Sequence, residues 1–422
     1  MNREHEIILE LWRRVSDGWG FSTTAIAVAF KREHLDDAQK REIVETLHDM
    51  IAFYRRFDFA LQNEASEPSA RALLAAALLH AGKIDAHAAQ EFAREVDWDA
   101  AARADERIAQ IADPVRRFAV THSLTDSFAA RLLAEYSAEA RELAAALNLR
   151  APATLRANTL KNSRDELIAA LAAEGIAARE TQFSPTGVVV ENPARLFATN
   201  AFASGLFEAQ DEGSQLIAEL AAPARGSSVL DACAGSGGKS LALSALMGGT
   251  GTLPALDISE SRLRELRRRA RRASAHNIRA LRTETDTWPP EILARSGKFQ
   301  RVLVDAPCGG SGALRRNPEA RWRGDGALEE LPRIQESLAR RALELCAKNG
   351  RVIYATCSIF RAENEGVVER VLSDGGCECV PIKEILSRAR ADLIASPCGR
   401  FLKLLPYRHG TDGFFAAVLR KR

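Results

Sequence analysis

The 422-residue chain has no apolar run of the roughly 18–20 residues that a membrane-spanning helix needs, so no such helix is expected. It also lacks a signal-like start. The first residues, MNREHEIILELWRRV, are charged and amphipathic, with no apolar core or small-residue cleavage site. None of the seven cysteines forms a C-x-x-C pair, which argues against a zinc ribbon, and no metal site is expected. Their odd number and scattered spacing fit reduced thiols in a cytosolic enzyme, so a cytoplasmic location is expected. A large charge of one sign is missing too. With a formal net charge of +2, nucleic-acid binding cannot be argued from totals and would need a local patch. What is present, 46% hydrophobic and 27% charged residues, is ordinary for a soluble protein, and the length allows two or three domains.

Residues 1–147 read as almost entirely helical. In 39–61, Ile43, Val44, Leu47, Ile51, Tyr54 and Phe57 recur at helical spacing, predicting one helix. A second spans 70–81 and stops at Gly82, Pro114 opens another, and the pattern continues over 132–147. No catalytic string occurs here, so a supporting bundle and a helical RNA- or protein-docking module fit equally. The pattern changes at Pro152. A strand at 154–158, a capping box from Ser163 to Glu166 opening a helix to Gly175, and a hairpin over 176–181 and 188–191 make a small α/β unit. Arg156 and Lys161 are candidates for phosphate contact, but as lone charges they read rather as solvated surface. From 206 onward strands alternate with helices, predicting a parallel sheet covered on both faces and finished by an antiparallel edge.

Chemistry concentrates at strand ends. Residues 301–316 read RVLVDAPCGGSGALRR. The apolar run 302–304, closed by Asp305, a proline and small residues, has the profile of a buried parallel strand entering a loop. Ligands collect at the carboxyl ends of such strands, so Asp305 and Cys308 would face a cleft. Alone, the string fits a structural cysteine beside a turn equally well. A second segment, 351–358 (RVIYATCS), places Cys357 at the end of an apparent neighbouring strand, and the two make a constellation. Upstream, 228–239 (SVLDACAGSGGK) runs from a strand through glycines into a helix. Gly235, Gly237 and Gly238 permit tight curvature and close ligand approach, with amides exposed at the helix start. The string is neither a P-loop nor a good dinucleotide fingerprint. The next strand, 253–257, ends in Asp257, suited to a ribose diol, so a nucleoside-containing cofactor is expected. Asp286, beyond a strand at 278–281, either meets an adenine amino group or caps a helix. The helix 259–274 carries seven arginines, from Arg262 to Arg272, read mainly as a solvated face and alternatively as a track for RNA backbone. The loop from Gly312 to Pro332, with Arg315, Arg316, Arg321, Trp322 and Arg323, suits single-stranded nucleic acid, although a lone tryptophan in a loop more often anchors it to the core. A helix is expected over 334–347, and Cys346, Cys377, Cys379 and Cys398 read as packing or surface thiols.

Read together, EAQDEGS (208–214), DACAGSGGK (231–239), Asp257, Asp286, DAPCGGSGALRRNPEARWR (305–323), YATCSIFRAENE (354–365) and DGFF (412–415) resemble the RNA 5-methylcytosine methyltransferases of the Nol/Nop/Sun family. The resemblance runs in order from about residue 154 to the C-terminus. The helical segment is similar to the NusB-like RNA-binding domain of the RsmB (Fmu/Sun) group. Two loops depart from the family's habit: CAGSGGKS lacks a proline, and DAPCGG has glycine where serine is usual. Neither removes a reactive group.

The resemblance implies three parts: a NusB-like all-α domain (1–147), a small α/β part (148–205) and a Rossmann-like methyltransferase domain (206–422) with a mostly parallel seven-stranded sheet. It implies S-adenosyl-L-methionine held by Cys233, Ala234, Gly235, Ser236, Gly237, Gly238, Lys239, Asp257, Arg262, Asp286 and Asp305. The implied reaction is methylation of cytosine carbon 5 in RNA, with ribosomal RNA the expected class, transfer RNA or a non-catalytic RNA-binding assembly role the alternatives, and a monomer expected. Cytosine carbon 5 is a poor nucleophile until a thiolate adds at carbon 6. By resemblance that thiolate is Cys357, Asp305 binds the N3 side of the ring, and Cys308 assists release. A DNA-type enzyme attacking through Cys308 is the rival reading, opposed by the Thr-Cys-Ser motif.

Overall fold

The computed structural model describes the chain except Phe21, residues 62–67, Ala194, Asp286 and Asp325, and the side chains of residues 22–24 and 326–328. Asp286, the expected adenine contact, therefore lies outside the described residues. The chain forms two compact units, one of Met1–Arg150 with Ala313–Asp325, the other of Ala151–Gly312 with Gly326–Arg422.

The first unit is helical. Its helices Arg3–Ser16 and Asp37–Ala52 both start with a reciprocal capping box, at Asn2 and at Asp36, which satisfies amides that a helix start otherwise leaves open. Ile8, Leu11, Ile43, Leu47, Met50, Ile51 and Leu74 fill the core. The single helix expected over 39–61 is two, Asp37–Ala52 and Tyr54–Leu61, because Phe53 leaves helical geometry and caps the first. The 132–147 pattern likewise divides into Asp126–Tyr136 and Ala140–Asn148, where Ser137 turns to a positive φ of 46°. Apolar periodicity passes through both breaks, so it could not reveal them.

Residues 313–325 belong to this unit although they follow the Cys308 loop in the chain. They include a short 3-10 helix, Pro318–Trp322. The Arg321 guanidinium, 2% exposed, donates to the carbonyls of Ala52 (2.9 Å), Ser123 (3.2 Å) and Leu147 (3.3 Å) and to Asn148 Oδ1 (2.5 Å). These acceptors lie at the ends of three helices, Asp37–Ala52, Pro114–His122 and Ala140–Asn148. Helix C-termini carry unsatisfied carbonyls and partial negative charge, so one buried cation serves all three. Burial pushes Arg321 down to about 9, which leaves it charged at neutral pH. Trp322 donates Nε1–H to Ile51 O at 2.9 Å, and its ring packs on Trp19 and Tyr54. Arg321 and Trp322 therefore anchor this segment, which corrects the nucleic-acid reading for Arg321 and agrees with the core-anchoring reading of Trp322.

The second unit holds two sheets. β1 (Ala153–Ala157), β2 (Ala178–Glu180), β3 (Gly187–Val190) and β4 (Phe207–Ala209) form an antiparallel sheet in the order β2-β3-β1-β4, with helix Arg164–Ala173 crossing from β1 to β2. Arg156, on β1, is buried and donates from Nε to Gln210 Oε1 at 2.7 Å, so it is not solvated surface; burial pushes it down to about 10. On helix Glu260–Ala273, Arg269 and Arg272 ion-pair with the buried Glu208 of β4, while Arg267 and Arg268 pair with Glu260 and Glu265 on their own helix. Much of the basic run is thus already neutralised.

The larger sheet comprises β5 (Val229–Asp231), β6 (Leu253–Asp257), β7 (Ile278–Arg282), β8 (Phe299–Asp305), β9 (Cys346–Thr356), β10 (Cys377–Val380), β11 (Leu402–Leu404) and β12 (Phe414–Lys421). Its order is β10-β12-β9-β8-β5-β6-β7, with β11 pairing β12. β5 through β9 pair in parallel, and β12 runs antiparallel to β9, β10 and β11. The chain leaves β5 toward β6 and β7, then returns to its other side with β8 and β9. That reversal makes the β5–β8 boundary the switch point where strand ends open a crevice. Two local expectations change: helix Gly326–Leu345 includes Pro332, so the loop ends earlier, and β9 begins at Cys346 with a bulge around Asn349, whose φ is 60°.

Replacing Arg321 by Met should strand several buried carbonyls and cost about 2–5 kcal/mol in the helical unit. Hydrogen exchange of the full chain should accelerate at the C-terminal turns of Asp37–Ala52, Pro114–His122 and Ala140–Asn148. Unchanged exchange at those turns would exclude this anchoring role.

Candidate active site

Three acids or thiols sit at adjacent strand ends because the apolar residues before them are buried in the sheet. Val302, Leu303 and Val304 of β8 pair with Val352, Ile353 and Tyr354 of β9, and Asp305 lies opposite Ala355. Two residues beyond Ala355 is Cys357; three beyond Asp305 is Cys308. Their sulfurs lie 3.2 Å apart, and both are free thiols. The hydrogen bond with Cys357, then burial, hold the Cys308 thiol well above the ordinary thiol range. The loops are also tied through their backbones, with Gly312 N–H donating to Cys357 O at 2.9 Å and Gly413 N–H to Gly312 O at 2.8 Å. A Cβ on Gly312 would lie 2.2 Å from Gly413 O, so the D-G-F-F stretch and the Cys308 loop need glycine where they meet.

Lys239 reaches across from the glycine turn and forms an ion pair with Asp305, Nζ to Oδ2 at 2.7 Å. Burial works against its charge, but Asp305 more than offsets this and raises the ammonium above its usual range. Sequence reading assigned Lys239 to the cofactor; its observed partner joins the glycine turn to the thiol strands. At the end of β5, Asp231 is fully buried and accepts from Ser240 Oγ at 2.6 Å. Burial raises this carboxyl to about 7.

The glycine turn is built for close approach. Gly235 has φ +55° and open space where a Cβ would stand; Gly237 has φ +88°, and a Cβ there would meet Leu266 Cδ1 at 2.1 Å. Helix Gly238–Leu246 begins without a side-chain cap. Gly235 N–H donates to Asp257 Oδ2 at 2.9 Å and Ser259 N–H to Oδ1 at 2.8 Å, so the acid of β6 is held in place beside the turn. Arg262 stands 4.0 Å from Asp257 and is mostly exposed, the weakest member of the expected set. Cys233 and Ala234 direct their side chains into the core, and burial raises the Cys233 thiol far out of the reactive range. Ser236 contributes its carbonyl, which accepts from Arg269 at 2.8 Å. Ile258, 57% exposed directly after Asp257, is an apolar surface that sequence reading passed over. Its only signal was an isoleucine at a strand end that no helix face required.

The raised Asp231 carboxyl has a consequence for stability. The folded chain binds this proton more tightly than the unfolded chain, so the contribution is full near pH 4 and is lost as pH rises toward about 7. Asp231→Asn, uncharged throughout, should remove that part of the slope. Denaturant unfolding at pH 5 and pH 8 should show a smaller difference for the variant than for the unsubstituted chain; equal differences would count against the raised carboxyl.

Residues 218–420 match the family 16S rRNA methyltransferase RsmB/F, and residues 126–196 match the ferredoxin-like domain described for RsmF/B-like methyltransferases. The chain is 32% identical over 317 residues to the probable ribosomal RNA small subunit methyltransferase B of Bacillus subtilis (strain 168), covering 74% of this chain and 69% of that protein. It is 30% identical over 296 residues to ribosomal RNA small subunit methyltransferase B of Photorhabdus laumondii, covering 69% of this chain and 65% of that protein. Among solved structures, a methyltransferase homologue from Pyrococcus horikoshii superposes with a TM-score of 0.63 at 27% identity, covering 74% of this chain and 100% of that one. The sheet order, the paired cysteine motifs and these matches agree: the chain belongs to the 16S rRNA methyltransferase RsmB/F family.

Proposed function

We propose that the chain is an S-adenosylmethionine-dependent methyltransferase that modifies carbon 5 of a cytosine in ribosomal RNA through a covalent bond to Cys357. The observation that carries this reading is the pair of thiols 3.2 Å apart beside the Lys239–Asp305 ion pair. The residues of the glycine turn suit the cofactor: open space over Gly235, an uncapped helix start and a pre-held Asp257. Gly235–Lys239 and Asp257 would hold it, Ile258 would offer an apolar face to its base, and when bound it supplies an electrophilic methyl group.

The chain's own residues do the rest. Cys357 loses its proton to solvent and adds as the thiolate to carbon 6, the C5–C6 π pair shifting toward N3; carbon 5 becomes enamine-like, which splits one difficult step into easier ones. Asp305 binds the N3 side of the ring, and the Lys239 ammonium supplies the cation that offsets negative charge as it develops there. After transfer, the carbon 5 proton leaves to solvent or Asp305, its electron pair restores the C5–C6 double bond, and the C6–S bond breaks. A thiol at Cys308, kept protonated beside Cys357, donates to the departing sulfur. Ribosomal RNA as substrate rests on the family and on the relatives named above.

Asp257→Asn should weaken S-adenosylmethionine binding by about 10- to 100-fold, the loss of one charge-assisted bond at about 1.5–3 kcal/mol, with the fold retained. Unchanged affinity by calorimetry would rule out the assignment of Asp257. The two cysteines separate more sharply. Cys308→Ala should methylate, then stall and accumulate a protein–RNA adduct that survives a denaturing gel; Cys357→Ala should form none and leave the RNA unmethylated. An adduct with Cys357→Ala and none with Cys308→Ala would exchange the roles, and no adduct with either would refute covalent catalysis.

A further inference from the structure

The two cysteine loops are joined by a buried carboxylate that the reaction itself does not call for. Glu363, 3% exposed, follows β9 in the short 3-10 helix Arg361–Glu363. Its Oε2 accepts Gly309 N–H at 2.8 Å and Gln335 Nε2–H at 3.0 Å. Its Oε1 accepts the Ser358 hydroxyl at 2.6 Å. Gln335, fully buried on helix Gly326–Leu345, also donates to Pro307 O at 2.9 Å. Ser358 Oγ lies 3.0 Å from Ser311 Oγ and accepts Phe360 N–H, and Ser311 Oγ accepts Ile359 N–H. One side chain thus reaches the residue after Cys308 and the residue after Cys357, and through Gln335 the residue before Cys308. The Tyr354 hydroxyl donates to the Glu363 backbone carbonyl, which fixes the carboxylate from behind.

A buried carboxylate is costly unless its oxygens are satisfied, and here three donors converge on it. All three belong to the segments that carry or brace the thiols. We infer that Glu363 is a positioning residue for methyl transfer, setting the separation and direction of the Cys308 and Cys357 sulfurs. The inference rests on the reading that these thiols act on a cytosine. Loss of the hub leaves both loops attached to their strands but releases the sulfurs from a common frame. Catalysis is sensitive to that change, since a displacement of about 1 Å can cost on the order of 100-fold in rate.

The test uses the full chain with ribosomal RNA and S-adenosylmethionine. Glu363→Gln keeps the volume and some of the hydrogen bonds; Glu363→Ala removes all of the side-chain bonds. Single-turnover methyl transfer at saturating RNA and cofactor should fall by about 10-fold in Glu363→Gln and about 100-fold in Glu363→Ala. Cofactor affinity by calorimetry, which reports the glycine turn and Asp257, should stay within about twofold, because the hydrogen-bond partners of the Glu363 carboxylate are Gly309, Gln335 and Ser358. Combined with Cys308→Ala, Glu363→Gln should slow appearance of the denaturant-stable adduct in the same proportion as methyl transfer. Should Glu363→Ala not fold, Gln335→Met, which cuts the Pro307 tether and one donor to Glu363, should give a loss like that of Glu363→Gln. An unchanged transfer rate in Glu363→Gln overturns the inference, as does a parallel loss of cofactor affinity, which would mean general support. If the unsubstituted chain forms no 5-methylcytosine, the reading of the thiols fails instead, and the two failures are distinct.

Discussion

The parallel pairing of β8 with β9 is the constraint from which the site follows. The facing stretches 302–304 and 352–355 are apolar and buried, so they can lie side by side in one register only if the polar residues of both strands fall outside them. Asp305 is the last residue of β8, and Ala355, its partner, is followed by Thr356 and Cys357. A slip of one residue would push Asp305 into the sheet or draw a core side chain out of it, so the register protects the thiol geometry. The neighbouring β12, paired with β9 from Phe415 to Arg420, closes the other side and brings Gly413 against Gly312. The Cys308 loop is therefore held by its own strand, by β9 and by the turn before β12.

Charge in the crevice is arranged by partner rather than by amount. Three carboxylates lie near the strand ends, and each has a different counterpart: a lysine for Asp305, backbone amides for Asp257, a serine hydroxyl for Asp231. Only Asp231 lacks a cation or several amides and lies wholly buried, and its carboxyl is the one raised to about 7. The result sets a buried carboxyl with a raised pKa at the end of β5 apart from the Lys239–Asp305 ion pair at the end of β8. Cys308 belongs to the same logic: with a sulfur as hydrogen-bond partner and little solvent, it is held as a thiol.

What the amino-acid string revealed and what it hid divide by the range of the interactions. Strand-end acids, glycine turns and capping boxes act over a few residues, so Asp257, the 235–239 turn and the Ser163–Glu166 box could be read directly. Arg321 could not, because its acceptors at Ala52 and Ser123 lie 269 and 198 residues away, and an arginine in a polar loop looks solvated until three helix ends meet it. Arg156 misled for the same reason, its partner being 54 residues distant. Glu363 was visible as a letter in the Cys357 motif, but its meaning lies in Gly309 and Gln335, 54 and 28 residues before it. The helix breaks at Phe53 and Ser137 were hidden differently, since the apolar stripe continues across both.

The membership of residues 313–325 bears on how the helical unit can be studied. Those residues leave the second unit just after Gly312 and return to it at Gly326, and in between they supply Arg321 and Trp322 to the helical core. Cutting the chain near residue 150 therefore does not yield two intact parts. The N-terminal fragment would keep three helix C-termini and lose their shared cation, and the remainder would expose an arginine and a tryptophan made for burial. Loss of RNA affinity after such a deletion would conflate a missing RNA contact with a damaged segment that begins five residues beyond Cys308. Exposed basic residues of the helical unit can instead be substituted singly with its core untouched. Only a loss of affinity that leaves the exchange of the Arg321-capped helices unchanged can be assigned to RNA contact.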